Sequence, residues 1–200
     1  MAAVTRPTRS FDELWDALLE VPEGFTGEIV NGEIRTHPRP GPPHLEASSA
    51  VSAILGGAFH FGFAGGPGGW VILAEPRIRF GDECRVPDFA GWRKDRYVRP
   101  DGSRPYEVMP DWVCELLSRS TAVEDRTEKL PLYAKHGVRH AWIVDAIAQT
   151  LEVFRLDGDQ WLLAQTFGAD AKVRAEPFEA IEIDLALLWG PRPASNDDDA

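Results

Sequence analysis

Cysteine is scarce in this chain. Only Cys84 and Cys114 occur in 200 residues, and neither has a second Cys or a His at metal-ligand spacing. That excludes a disulfide framework and argues against a zinc site; both read as buried thiols in apolar, strand-like surroundings. Long apolar runs are missing too: none approaches the roughly 20 residues that cross a bilayer. The N-terminus lacks the apolar core of a secretion signal, so the expectation is a cytoplasmic protein with no membrane partner. Positive charge is the third shortage. Lys and Arg number 21 against 32 Asp and Glu, for a net charge of −11, and the terminal "NDDDA" supplies only three of the negatives. A protein that coats nucleic acid through bulk charge is excluded; one that touches phosphates locally, through a bound cation, is not. No internal repeat or long linker interrupts the chain, and its length suits one domain, expected over 10–192 with solvated ends at 1–9 and 193–200.

The local patterns alternate helix with runs of strand. Leu14, Trp15, Leu18 and Leu19 have helical spacing behind a plausible N-cap at Ser10. "EIVNGEI" (28–34) reads as a hairpin turning at Asn31-Gly32, and "THPRPGPP" (36–43) as a stiff loop without regular structure. Val51, Ile54, Leu55, Ala58 and Phe59 predict a helix from His44 to about Phe59, ended by "GFAGGPGG". Strands are expected at 70–74, 76–80, 85–92, 112–117, 141–145, 151–156 and 161–166. A helix is expected at 121–137, closed by Gly137, and a short one near 184–189. The fold class that follows is α/β, with a central mixed β-sheet flanked by helices.

The chemistry concentrates in "PDWVCELLS" (110–118). Alternation puts Val113, Glu115 and Leu117 on one face of an apolar strand and Trp112, Cys114 and Leu116 on the other. An ionised carboxylate without a partner in that place costs several kcal/mol. Asp88, in "RVPDFAGW", lies in the neighbouring strand segment. Two carboxylates brought together repel unless a positive charge separates them. Mg²⁺ suits the position because it takes one or two carboxylates and leaves room for phosphate oxygens, and it can polarise a phosphodiester and activate water. Lys129 could stabilise the developing charge; Asp125, Lys129 and Tyr133 are spaced by four along one helical face.

"RVPDFAGW", "PDWVCELLSRST", "DRTEKLPLYAKHGVRHAWIVDA" and "TLEVFRL", in that order, resemble the Uma2 family of endonuclease-like proteins, within the PD-(D/E)XK restriction-endonuclease-like superfamily. The resemblance covers about residues 25–156, and includes the "EIVNGEI" element and His44. It implies catalytic roles for Asp88, Glu115 and Lys129. It implies a metal, Mg²⁺ or Mn²⁺, on Asp88, Glu115 and the main-chain carbonyl of Leu116. Glu28, His44, Asp125 and Tyr133 would support the site. The superfamily's lysine two residues after the acid is replaced here by Leu117, and the lysine moves to the helix. The substrate implied is nucleic acid, DNA above all, and nucleases of this type often act as homodimers.

Plainer assignments stand beside these. Asp88 and Glu115 could form a structural ion pair with an arginine or lysine, and Lys129 could be a solvated partner of Asp125. Glu28 could be an exposed hairpin residue, His44 a packing histidine, and Tyr133 packing with its hydroxyl toward the site. "WRKDRYVR" (92–99) suits either a nucleic-acid contact or a solvated loop. Two functional alternatives accompany the endonuclease: a catalytically silent binding or assembly module on the same fold, and a phosphodiesterase for a small phosphorylated substrate.

Overall fold

Ser10 opens helix α1 (Phe11–Leu19) through a reciprocal capping box, its hydroxyl accepting from the Glu13 amide while the Glu13 carboxylate accepts from the Ser10 amide at 2.7 Å. The computed structural model describes residues 9–118 and 120–190. The expected solvated ends, apart from Arg9, lie outside the described residues, as does Arg119 of the "SRST" turn. α1 buries Leu14, Trp15 and Leu18 against Ile29 and Cys84. It sits close to the hairpin below because residue 27 is glycine: a Cβ there would lie 2.7 Å from the Leu18 side chain. That hairpin pairs β1 (Phe25–Val30) with β2 (Glu33–Pro38) and turns at Asn31 and Gly32, whose φ angles of 52° and 78° are those of the expected tight turn.

Two sheets and a ribbon follow. β1 and β2 join β5 (Glu83–Arg85) and β4 (Ile78–Phe80) in a four-stranded antiparallel sheet of order β2-β1-β5-β4. The larger sheet has six strands: β3 (Trp70–Ala74), β6 (Phe89–Arg93), β7 (Trp112–Leu116), β8 (His140–Asp145), β9 (Thr150–Asp157) and β10 (Gln160–Gly168). Its order is β10-β9-β8-β7-β6-β3. Only β7 and β8 run parallel, so this is the mixed central sheet that the strand pattern implied. β11 (Lys172–Val173) and β12 (Ile183–Asp184) form a two-stranded ribbon.

Three expectations need correction. The single strand over 85–92 is two strands, β5 and β6, that belong to different sheets; Pro87, with no amide hydrogen, sits at the switch between them. The "THPRPGPP" stretch is not wholly loop, since β2 reaches Pro38 and helix α2 (Pro42–Val51) begins inside it, with proline in the first turn where no amide donor is needed. Neither long helix is uniformly α. α2 passes into a π-helical segment, Ser52–Phe61, which contains Gly56 and Gly57, residues with little preference for α geometry. The crossover between β7 and β8 consists of α3 (Ala122–Glu124), a π turn at Asp125–Lys129 and α4 (Leu130–Lys135). In the π turn the Leu130 amide reaches back five residues to the Asp125 carbonyl. Pro131 accounts for the wider turn, because it cannot donate and its ring crowds the turn before it. Gly137 ends the crossover in the left-handed conformation expected of it, φ 75°.

The central sheet has a core on each face, and β7 divides between them as its alternation predicts. Trp112, Cys114 and Leu116 join the core under α2 and its π extension, with Trp70, Trp142, Phe59 and Phe178. Val113 and Leu117 join the core beneath the crossover, with Ile143, Leu130 and Tyr133. Both cysteines are free and buried, as expected. Phe178 is fully buried, with its ring 4.6 Å from Phe59, 4.9 Å from Trp70, 5.0 Å from Trp112 and 5.5 Å from Trp142, centroid to centroid. Replacing it opens a cavity in the middle of that cage. Phe178→Ala is expected to cost about 3–5 kcal/mol, measured by urea unfolding; a loss below about 1 kcal/mol would show that the cage does not hold the π segment to the sheet.

Candidate active site

The ladder between β6 and β7 ends at the Phe89–Cys114 pair, and the next β7 amide, that of Leu116, donates to the Asp88 carboxylate at 2.6 Å instead. Asp88 is thereby fixed beside Glu115. Its other carboxylate oxygen lies 2.9 Å from His44 Nε2, so the first turn of α2, from the opposite face of the sheet, closes on the same point.

Glu115 is 1% exposed. Lys129 Nζ donates to its Oε2 at 3.1 Å and the Tyr133 hydroxyl to its Oε1 at 2.5 Å. Lys129 reaches it because the crossover that joins two parallel strands packs over them, which sets the π turn directly above β7. The same ammonium lies 3.1 Å from Asp125 Oδ1 and 4.0 Å from Glu28 Oε1. Glu28 is buried, not an exposed hairpin residue: its Oε1 accepts from the Val86 amide at 2.7 Å. All seven side chains singled out in the sequence therefore converge; the structural ion pair weighed for Glu115 is present with Lys129 as its cation, and among the described residues no arginine pairs with Asp88 or Glu115.

Arg85 is a further member of the site, which pattern analysis missed. It is buried and donates to Glu83, Glu28, Glu124 and Glu128 at 2.9–3.4 Å. Arg35 on β2 adds a 2.8 Å bond to Glu128. The network ties the four-stranded sheet to the crossover and so brings Glu28 to the site. An arginine three residues before Asp88, where a strand leaves one sheet for another, was the available signal; Glu124 offered none beyond its helix position.

Across this network seven carboxylates (Glu28, Glu83, Asp88, Glu115, Glu124, Asp125, Glu128) face three permanent cations, Arg35, Arg85 and Lys129. The excess of negative charge sets the protonation states. Burial, with the Asp125 and Asp88 charges, pushes the Glu115 carboxyl well above its usual range despite Lys129. Burial likewise raises Asp125 against the pull of Lys129. Burial alone would lower Lys129, but Glu115, Glu28, Asp125 and Asp88 outweigh it and hold the ammonium protonated well above its ordinary value. His44 follows the same logic: burial acts to lower it, and the bond and charge of Asp88 raise it overall. Among the described residues, Asp125 Oδ1 has no aligned hydrogen-bond donor although Lys129 is near.

The site opens into a cleft of about 180 Å³ walled by Glu28, His44, Asp88, Asp125 and Lys129 among others. Glu115 and Tyr133 are not on the wall; they lie behind Lys129. Glu28, His37 and Glu124 also bring ligand atoms within 4.8 Å of one another. Arg85 already bonds both glutamates of that trio and offsets part of their charge.

Two stability measurements follow. Lys129→Met removes the ammonium shared by Glu115, Asp125 and Glu28 and is expected to cost about 3–5 kcal/mol; a cost below about 1 kcal/mol would mean the lysine is only a solvated neighbour. The folded state also holds a proton on Glu115 above the ordinary value of 4.5, where the unfolded chain has lost it. Folded chains then bind more protons, so the Glu115 contribution to stability declines as pH rises above that value. Glu115→Gln should flatten the fall of urea-unfolding free energy as pH rises above 4.5, and an unchanged slope would contradict the raised carboxyl.

The family profile Uma2, described as "Putative restriction endonuclease", matches residues 12–187. The described fold is similar to a crystal structure of "a putative nuclease belonging to DUF820 from Anabaena variabilis ATCC 29413". The likeness has a TM-score of 0.65 and 23% identity, and covers 90% of this chain and 97% of that one. No curated protein matches the sequence. With the profile spanning nearly the whole described chain and the α/β architecture shared with that nuclease, the protein belongs to the Uma2 family of restriction-endonuclease-like proteins.

Proposed function

We propose that the protein is a metal-dependent endonuclease that hydrolyses phosphodiester bonds in DNA, with Asp88, Glu115 and Lys129 as its catalytic residues. The observation that carries this is the meeting, at one cleft, of the Asp88 carboxylate and a lysine held charged by the acids around it, with Glu115 of β7 directly behind that lysine.

The site suits a hard dication. Its donors are carboxylate and main-chain oxygens, its negative charge is in excess, and Asp125 Oδ1 lacks an aligned donor. Asp88 and Glu115, with the main-chain carbonyl of Leu116, would hold Mg²⁺ or Mn²⁺. Each Glu115 oxygen keeps acceptor capacity beyond the one donor it has. Once bound, the ion supplies Lewis-acid polarisation of the phosphodiester and acidity to a water.

The protein's own groups divide the remaining tasks. Hydrolysis forms a P–O bond from water and breaks the P–O bond to an alkoxide; water loses a proton and the alkoxide gains one. Lys129 stays protonated and so stabilises charge growing on the phosphoryl oxygens, where a positioned cation contributes most. Asp125 lines the cleft beside Lys129, and its carboxylate would receive the proton that water loses. His44 and the Leu116 amide hold the Asp88 carboxylate still. Tyr133 fixes Glu115 from behind.

One observation favours a second reading, a nuclease-fold binding module without turnover: Glu115 has donors on both oxygens and no place on the cleft wall. Cleavage of plasmid and of single-stranded DNA with Mg²⁺ or Mn²⁺ separates the two. Wild type should cleave only with the metal, Asp88→Ala should not, and Lys129→Gln should lose about 10²–10³-fold in rate, each variant first being shown to keep its circular dichroism. Absence of cleavage of either DNA with any divalent ion, together with no heat of metal binding, would establish the silent module. Cleavage of bis(p-nitrophenyl) phosphate but of no DNA would point to a small phosphorylated substrate.

The same ion should raise the melting temperature. The shift should be larger at pH 8 than at pH 5, because the acids it binds must first lose protons. Equal shifts at both values would place the ion elsewhere.

A further inference from the structure

A second groove, of about 470 Å³, continues from the cleft and shares Thr26, Arg39, Glu75 and Val86 with it. Its wall carries Arg39, Arg77, Arg99 and Arg104 against a single carboxylate, Glu75. Arg104 is paired with Asp12 at 2.9 Å. Among the described residues, none of the other three has a carboxylate within ion-pair distance, in a chain whose acids outnumber its bases 32 to 21. Three such guanidinium groups in one groove are electrostatically incomplete. Arg77 is steadied by the ring of Trp15, 6.0 Å from its centroid, and Arg39 by the bond from its amide to the Gly24 carbonyl. The groove also exposes Phe25, half accessible at 50%.

We propose that this groove is a phosphate-binding track for one polynucleotide strand on its way into the cleft. The proposal rests on the nuclease reading for what happens in the cleft, and names the substrate class as a polymer. A guanidinium offers paired donors that match a phosphate, and it stays charged at any working pH. A small phosphodiester would fill the cleft alone and never reach Arg77 or Arg99, which line only the second groove. Phe25 selects an unpaired strand: its exposed ring can stack a base whose face is free, as a base within a duplex is not.

The test is binding of a fluorescein-labelled single-stranded oligonucleotide, followed by anisotropy in EDTA over a salt series. The double variant Arg77→Gln/Arg99→Gln should bind more weakly, with a log–log salt slope shallower by about 1.4. Arg77→Lys/Arg99→Lys, which keeps the charge, should recover most of that slope. Phe25→Ala should lose about tenfold in affinity with the slope unchanged. If wild type fails to bind the strand, or the glutamine variant matches wild type in affinity and slope, the track is overturned, whatever Asp88→Ala does to nicking. Tighter binding of duplex, with no dependence on Phe25, would overturn the assignment to a single strand. A wild type that binds with this arginine dependence but never cleaves would uphold the track and remove the nuclease reading instead.

Discussion

The buried contact between Lys129 and Glu115 is the constraint around which the rest is arranged. Glu115 sits at the centre of the strand that both cores share, so its charge must be met from the face it points to. The crossover covers that face at that level, and the long side chain of Lys129 reaches down from it. Tyr133, one turn further along, completes the lining. Desolvation of the pair is costly, and a pair of apolar residues could fill the volume with less penalty. Its retention fits a site that needs charge more than it needs stability.

The second sheet has the complementary role. It adds Ile78 and Phe80 to the core beneath the crossover, and it brings Glu28 and Arg85 to the cleft and holds them through the carboxylates of the crossover. Arg85 satisfies the outer acids, which leaves the inner ones undercompensated. The charge pattern is therefore graded: partly offset at the rim by arginines, negative where a cation is proposed, and positive in the adjoining groove where phosphates would lie.

Much of this was legible in the sequence, and the limits have physical causes. The alternation in β7 located Glu115 because a strand's period is insensitive to what packs on it. Ser10 and Asn31-Gly32 were legible because capping and turn geometry are local. The central sheet and its flanking helices followed from the order of the elements, as did the family likeness. What failed was non-local. Nothing within "ECRVPDF" shows that the chain leaves one sheet for another, since both halves are equally extended. Arg85 could be seen as charged, but its four acidic partners come from three other segments and from its own strand. The groove arginines are spread from 39 to 104 and form no run.

The π turn at Asp125–Lys129 carries a further implication, for how the chain can vary in length. A π turn amounts to one extra residue accommodated in an α-helix. Removing a residue there would restore regular winding and swing everything upstream by about 100° relative to everything downstream. Asp125 and Lys129 could not then both face the cleft. Surface loops in this protein can gain or lose residues with little effect on the site, but across these five positions the residue count is itself part of the geometry.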